Sequence, residues 1–139
     1  MRALYVRCPN ASSIVSHRLQ LCINTDTSRV MSARRPVVFL GNSRERLRDF
    51  PEDARRDAGF ELARVQEGDD PIDWKPMPTI GKGVREIRVS ERAGEFRVIY
   101  VASIGAMIYV LHAFHKKTQK TPQHDIALAT ARFREIAKE

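Results

Sequence analysis

The sequence predicts a single α+β domain in which helices gather on an antiparallel sheet. Three observations carry this. Short runs rich in Val, Ile and aromatic residues recur at 36–40, 84–89, 96–101 and 107–114, with glycine-containing turns beside them. Apolar residues spaced three and four apart mark helices on either side of the last three runs. A chain of 139 residues that is 42% apolar can build one core by ordinary burial.

Pro36–Leu40 is the first strand of the organised part, closed by Gly41. Asn42 or Ser43 caps a helix that carries Arg44, Arg46, Leu47, Arg48 and Phe50. Pro51 suits the first turn of a second helix, and Glu52 and Asp53 suit its positive end. Ala54, Ala58, Leu62 and Val65 form its apolar stripe, and Gly68 ends it. These two segments read as a helical hairpin packed on a sheet. Asp69–Pro78 holds three prolines and no period, so it reads as a loop, with Trp74 as its anchor to the core. Val84–Val89, Phe96–Val101 and Met107–Phe114 then form an antiparallel meander. Thr121 caps a last helix with Pro122 at its first position, and Ile126, Ala129, Phe133 and Ile136 supply its buried face.

Residues 1–30 stand apart. They hold one acidic residue, Asp26, both cysteines, Cys8 and Cys22, and no lasting period. Met31 stands where organised pattern begins. The expectation is an extension over 1–30, disordered or a start-site artefact, and a working domain over 31–139. The competing reading gives 12–23 a short accessory strand or helix. The N-terminus lacks the continuous apolar stretch of a secretory signal, and no apolar run approaches a bilayer span. A cytosolic protein without a membrane partner is expected.

Net charge is +7, and it is segregated. Residues 42–73 hold six Arg/Lys against ten Asp/Glu, whereas residues 75–120 hold nine against three. The second stretch is either a solvated face or a phosphate-binding surface.

Strand alternation decides where that charge points. Arg88 shares a face with Glu86. Arg97 interrupts an otherwise apolar strand, which is costly for an arginine unless it is partnered or at a rim. It is either a structural arginine paired with Glu86 or Glu95, or a cation aimed into a groove beside Arg88. The last strand runs into HAFHKKTQKTPQH, which places His112, His115, Lys116 and Lys117 at a strand end, followed by Lys120 and His124. Rigid elements aim loop residues at such places. His124 sits in the first turn of the last helix, whose positive end disfavours an imidazolium. No metal motif competes: Asp69, Asp70 and Asp73 have no histidines at ligand spacing, and His17, His112, His115 and His124 form no zinc signature. Gly81-Lys82-Gly83 is not a phosphate-binding loop, and no nucleophile elbow is present. A basic groove with histidines fits RNA cleavage, because RNA supplies its own 2′-hydroxyl nucleophile and needs only a base, an acid and cations.

The segments KPMPTIGKGVREIRV, EFRVIYV and MIYVLHAFHKKTQKTPQHDIALATARF, in that order, resemble the phage-derived HigB-like branch of the RelE/HigB toxin superfamily. The resemblance spans about residues 36–136, and the third segment is the most specific. It implies a RelE-like fold and the toxin of a type II toxin–antitoxin system, an mRNA endoribonuclease that works on the ribosome without a metal or cofactor. It assigns Arg88 to a basic strand position near the scissile phosphate and Arg97 to the phosphate-stabilising arginine. Lys116 and Lys117 match the basic residues after the last strand. Many relatives place a lysine where Glu86 stands and a tyrosine near His124, so Glu86, His115 and His124 are all candidates for the proton transfers. Lys82, Arg85, Lys116 and Lys120 are the candidates for further RNA contacts. The implied partners are mRNA, the ribosome, a cognate antitoxin of helix-turn-helix type and, through the antitoxin complex, operator DNA. Two rival classes share the sequence: a ParE-like gyrase inhibitor on the same fold, and a non-catalytic nucleic-acid-binding protein or prophage remnant.

Overall fold

A computed structural model describes residues 2–4 and 34–138. The elements run β1 (Arg2–Leu4), β2 (Val37–Phe39), α1 (Ser43–Arg48), α2 (Glu52–Gln66), β3 (Trp74–Pro76), β4 (Val84–Glu91), β5 (Gly94–Val101), β6 (Ile108–Lys116) and α3 (Gln123–Ala137). The sheet has the order β1-β2-β6-β5-β4-β3. This is the expected α+β arrangement: a meander, a strand before it, a helical hairpin and a C-terminal helix.

Three details differ from the sequence reading. First, β2 lies parallel to β6, so the sheet is mixed. Parallel neighbours need a long crossover, and everything from α1 to β5 supplies it. Second, the loop over 69–78 contains an edge strand, in which Trp74, Lys75 and Pro76 pair with Ile87, Glu86 and Arg85. Prolines conceal such a strand in the sequence, although an edge tolerates them. Third, Pro51 and Pro122 stand just outside their helices as caps, with extended ψ of 154° and 142°. Thr121 therefore lies one residue before the cap. Of the extension expected over 1–30, only Arg2–Leu4 is described, paired antiparallel with β2; the alternative element at 12–23 lies outside the described residues.

The sheet has two differently covered faces. On one, Ala54, Ala58, Leu62 and Val65 of α2 join Leu47 and Phe50 over Ile87, Val89, Phe96, Val98, Val110 and Ala113. On the other, α3 lays Ile126, Ala129 and Phe133 over Leu40, Ile99, Leu111 and Phe114. Each large side chain so buried contributes about 1.5–3 kcal/mol. A bulge between Ile99 and Tyr100 in the β5–β6 register leaves Leu111 as the extra residue. Its carbonyl accepts a 2.8 Å hydrogen bond from Arg132 Nη1, so α3 satisfies the group that the bulge exposes.

Candidate nucleic-acid interface

The β4–β5 register sets Arg88 directly opposite Arg97. Alternation sends both side chains, with Glu86, to the face that α3 partly covers. Arg97 is only 7% exposed and Glu86 1%. Arg97 Nη1 donates to Glu95 Oε1 at 3.1 Å and to the Phe96 carbonyl at 3.0 Å. Its Nε lies 3.7 Å from Glu86 Oε1, an ion pair without a hydrogen bond. Arg97 Nε and Glu86 Oε2 are both buried and have no hydrogen-bond partner among the protein groups described. A charged pair left incomplete in the interior is uncommon and calls for a role.

The rim of this pair is a ladder of opposite charges. Lys75 Nζ approaches Glu86 Oε1 to 3.9 Å from the edge strand. Arg88 holds Asp73 Oδ1 at 3.0 Å through both Nε and Nη2. Ser90 Oγ donates to Glu95 Oε1 at 3.0 Å, and this bond followed by that from Arg97 lowers the Glu95 carboxyl below its usual range. Lys116 faces Glu95 across β5–β6, and its Nζ donates to the Gln119 carbonyl at 2.6 Å, drawing the loop back over the strand end. Lys117 and Lys120 are exposed on that loop, which the Thr118 hydroxyl closes by donating to the Lys120 carbonyl.

The structure thus brings Glu86, Arg88, Arg97 and Lys116 to one face, with Lys117 and Lys120 on the loop beside it. Arg97 is the paired arginine of the first reading, held by Glu86 and Glu95, and it stands opposite Arg88. His124 is exposed in the first turn of α3. Lys82 is exposed on the turn before β4, away from the pair.

Two candidates lie elsewhere. Arg85 is an odd number of residues from Glu86 and Arg88, so it projects to the helical-hairpin face. There its guanidinium lies 4.1 Å over the Trp74 ring, and Nη1 donates to Asp70 Oδ1 at 2.8 Å. Trp74 is therefore only partly buried and packs on Arg85, where an anchor in the core is expected from the sequence. His115 also belongs to the hairpin face, where its ring stacks on Phe96 with centroids 4.5 Å apart. It does not share a surface with Arg97.

Sequence reasoning passed over Lys75, hidden by the prolines of the edge strand, and the pair of His112 with Asp125. His112 Nε2 lies 2.6 Å from Asp125 Oδ1 beneath the first turn of α3. Burial lowers the His112 pKa, and the Asp125 hydrogen bond offsets this only in part. The pair locks the start of α3 to β6, just beyond the basic loop. Among the described residues, no group of His, Cys, Asp or Glu is placed to hold a metal, and no helix is long and apolar enough to cross a membrane.

Residues 45–134, nearly two thirds of the chain, match the family model described as phage derived protein Gp49-like (DUF891). No curated protein matches the chain.

Proposed function

The chain belongs to the Gp49-like family of phage-derived proteins, a toxin-like family of the RelE/HigB type, and from that premise we propose that it is the toxin of a type II toxin–antitoxin pair, cutting mRNA on the ribosome. The observation that carries this reading is the buried, incompletely bonded Glu86–Arg97 pair with Arg88 directly opposite Arg97. In the proposed reaction the RNA 2′-oxygen attacks the adjacent phosphorus, the 5′-oxygen leaves, and a 2′,3′-cyclic phosphate forms. Arg97 Nε and the Arg88 guanidinium stabilise the charge that grows on the phosphate oxygens. Entry of the phosphate exchanges Asp73 for RNA as the partner of Arg88. Lys116, Lys117 and Lys120 guide the strand. Once the RNA phosphate draws Lys75 off Glu86 and opens the buried pair, Glu86 accepts the 2′-hydroxyl proton, and His124, exposed and next to the basic loop, protonates the leaving oxygen. The toxin acts in the cytoplasm, and a helix-turn-helix antitoxin encoded next to it covers this face.

The test is induced expression followed by mapping of mRNA ends. The parent chain arrests growth and leaves cyclic-phosphate ends in ribosome-bound frames. Arg97→Ala and Arg88→Ala each lower cleavage about 10²-fold, the usual loss for one such donor. An Arg97→Ala chain that cuts and kills like the parent overturns the assignment. Arrest with intact mRNA and damaged DNA transfers the protein to the gyrase-inhibiting class.

A further inference from the structure

The β6 end also holds a recess, of about 410 Å³, that the proposed reaction does not use. Four rings line it, Phe50, Phe96, Phe114 and His115, and three of them pack in series. Phe50 packs on Phe96 at 4.8 Å between centroids, and Phe96 stacks on His115 at 4.5 Å with the planes 20° apart. Phe50 and Phe96 are buried, so the imidazole is the ring that meets solvent. Its position depends on Gly94: a Cβ there would lie 2.5 Å from His115 Nε2, and Gly94 has φ of +139°. The recess is thus an aromatic stack with one open end. Arg46 and Asp49 stand on its rim. Arg92 is exposed beside it on the hairpin turn, and Lys116 and Lys117 follow His115 directly.

Aromatic rings under a cationic rim are the footprint of single-stranded nucleic acid, in which bases stack on rings and phosphates meet cations. His115 and Lys116 are consecutive on β6, so they face opposite ways. A strand that crosses the end of β6 sets its phosphates along Lys116 and Lys117 and turns a base to the His115 side. We propose that this recess takes one unstacked nucleobase of the bound RNA, with the base on His115 and the adjoining phosphate on Arg46. Asp49 offers an acceptor to an exocyclic amino group, which gives the subsite a means of preferring one base. His115 is then a positioning residue for the substrate, not a proton carrier. The inference rests on the proposed RNA substrate for the identity of its ligand.

The probe is a single-stranded 2′-O-methyl RNA carrying one 2-aminopurine, which the full chain binds but cannot cut because the 2′-hydroxyl is blocked. Stacking quenches the 2-aminopurine. The expected result is quenching by the parent and by His115→Phe, with affinity about ten-fold weaker for His115→Ala. The urea midpoint for His115→Phe should match the parent, and that for His115→Ala should fall only by the loss of the stack on Phe96. Equal affinity of parent and His115→Ala overturns the subsite. Equal loss for His115→Phe and His115→Ala also overturns it, since the imidazole itself is then required. A parent that binds no RNA overturns it as well, and leaves the recess to a protein partner. The companion assay uses unmodified RNA. Stacking without cleavage removes the proposed reaction and keeps the subsite, whereas cleavage that His115→Ala leaves untouched removes the subsite alone.

Discussion

The two faces of the sheet solve the same burial problem in different ways. The helical-hairpin face is mostly apolar along β4, β5 and β6: Arg85 and His115 sit at its opposite ends, and between them it buries the Tyr100 hydroxyl under α2, which itself carries the buried Glu61. The α3 face is divided. Over β2 and β6 it is roofed by α3 and mainly apolar, with the bonded His112–Asp125 pair enclosed, while over β3, β4 and the start of β5 it carries Lys75, Glu86, Arg88, Glu95 and Arg97. Burying charge is costly unless every lone pair and proton is matched, and here two buried atoms are not. A face needed only for stability is better served by the apolar solution that the same sheet uses on its other side. The contrast in charge supports the proposal that the charged half meets the RNA.

The strongest way to break that contrast is to remove Arg97. Arg97→Met should cost about 3 kcal/mol, because Glu86 is left charged in the interior with only the more distant, half-exposed Lys75 as partner. Adding Glu86→Leu should restore most of that stability while cleavage stays lost. Urea denaturation measures the first effect and mRNA cleavage the second. A double variant as active as the parent would make the pair a purely structural one.

The next effect lies under α3. His112→Gln should cost about 2 kcal/mol through the lost bond to Asp125. It should also change the pH profile. Burial holds the folded His112 pKa below the value of the unfolded chain. The unfolded state therefore takes up the proton first, so this group's stability is full above the unfolded pKa near 6.5 and falls as pH drops through it towards the folded pKa. Thermal melting between pH 8 and pH 5 should show a decline that His112→Gln flattens. An unchanged slope would locate the acid sensitivity elsewhere.

Much of this division was legible beforehand. Periods of two and of three to four placed the meander and the apolar stripes of α2 and α3, and alternation alone sets Arg88 and Arg97 on one face. The same rule separates Arg85 from Arg88 and His112 from His115, since each pair is three residues apart within a strand. Proximity in the sequence makes the basic and histidine residues look like one cluster, yet a strand distributes them to two sides. What the sequence did not disclose depends on long-range pairing. Lys75 reaches Glu86 only because a proline-rich segment adds an edge strand, and Asp125 meets His112 only because α3 folds back over β6. The carboxylates beside the arginines were visible, but not which arginine each would hold: Asp73 takes Arg88, and Glu95 takes Arg97.

Arg85 and Arg88 turn alternation into a smaller experiment. Arg88→Ala should weaken RNA binding about ten-fold and lower the salt slope of binding by about one. Arg85→Ala should leave RNA binding unchanged and cost about 1 kcal/mol of stability, from the contact with Trp74 and the bond to Asp70. Titrations across a range of salt concentrations measure both. Equal losses in RNA binding would mean that the strand crosses the β3–β4 edge and touches both faces.

The smallest effect asks whether the ladder is a clamp or a place-holder. Asp73 occupies Arg88 at 3.0 Å while being about half exposed, so water competes for the pair and its contribution to stability is below about 1 kcal/mol. Asp73→Asn removes a negative charge from the path of an incoming phosphate and frees the guanidinium. Stability should hardly move, while RNA affinity should rise a few-fold at low salt, and the gain should fade as ions screen the site. A place-holder gives that gain because Arg88 must exchange Asp73 for phosphate during binding. A clamp gives the reverse: with Asp73 removed, Arg88 loses its orientation opposite Arg97, and both affinity and cleavage decline. The sign of one salt-dependent titration therefore separates a face assembled to receive an anion from one that has already satisfied its own charges.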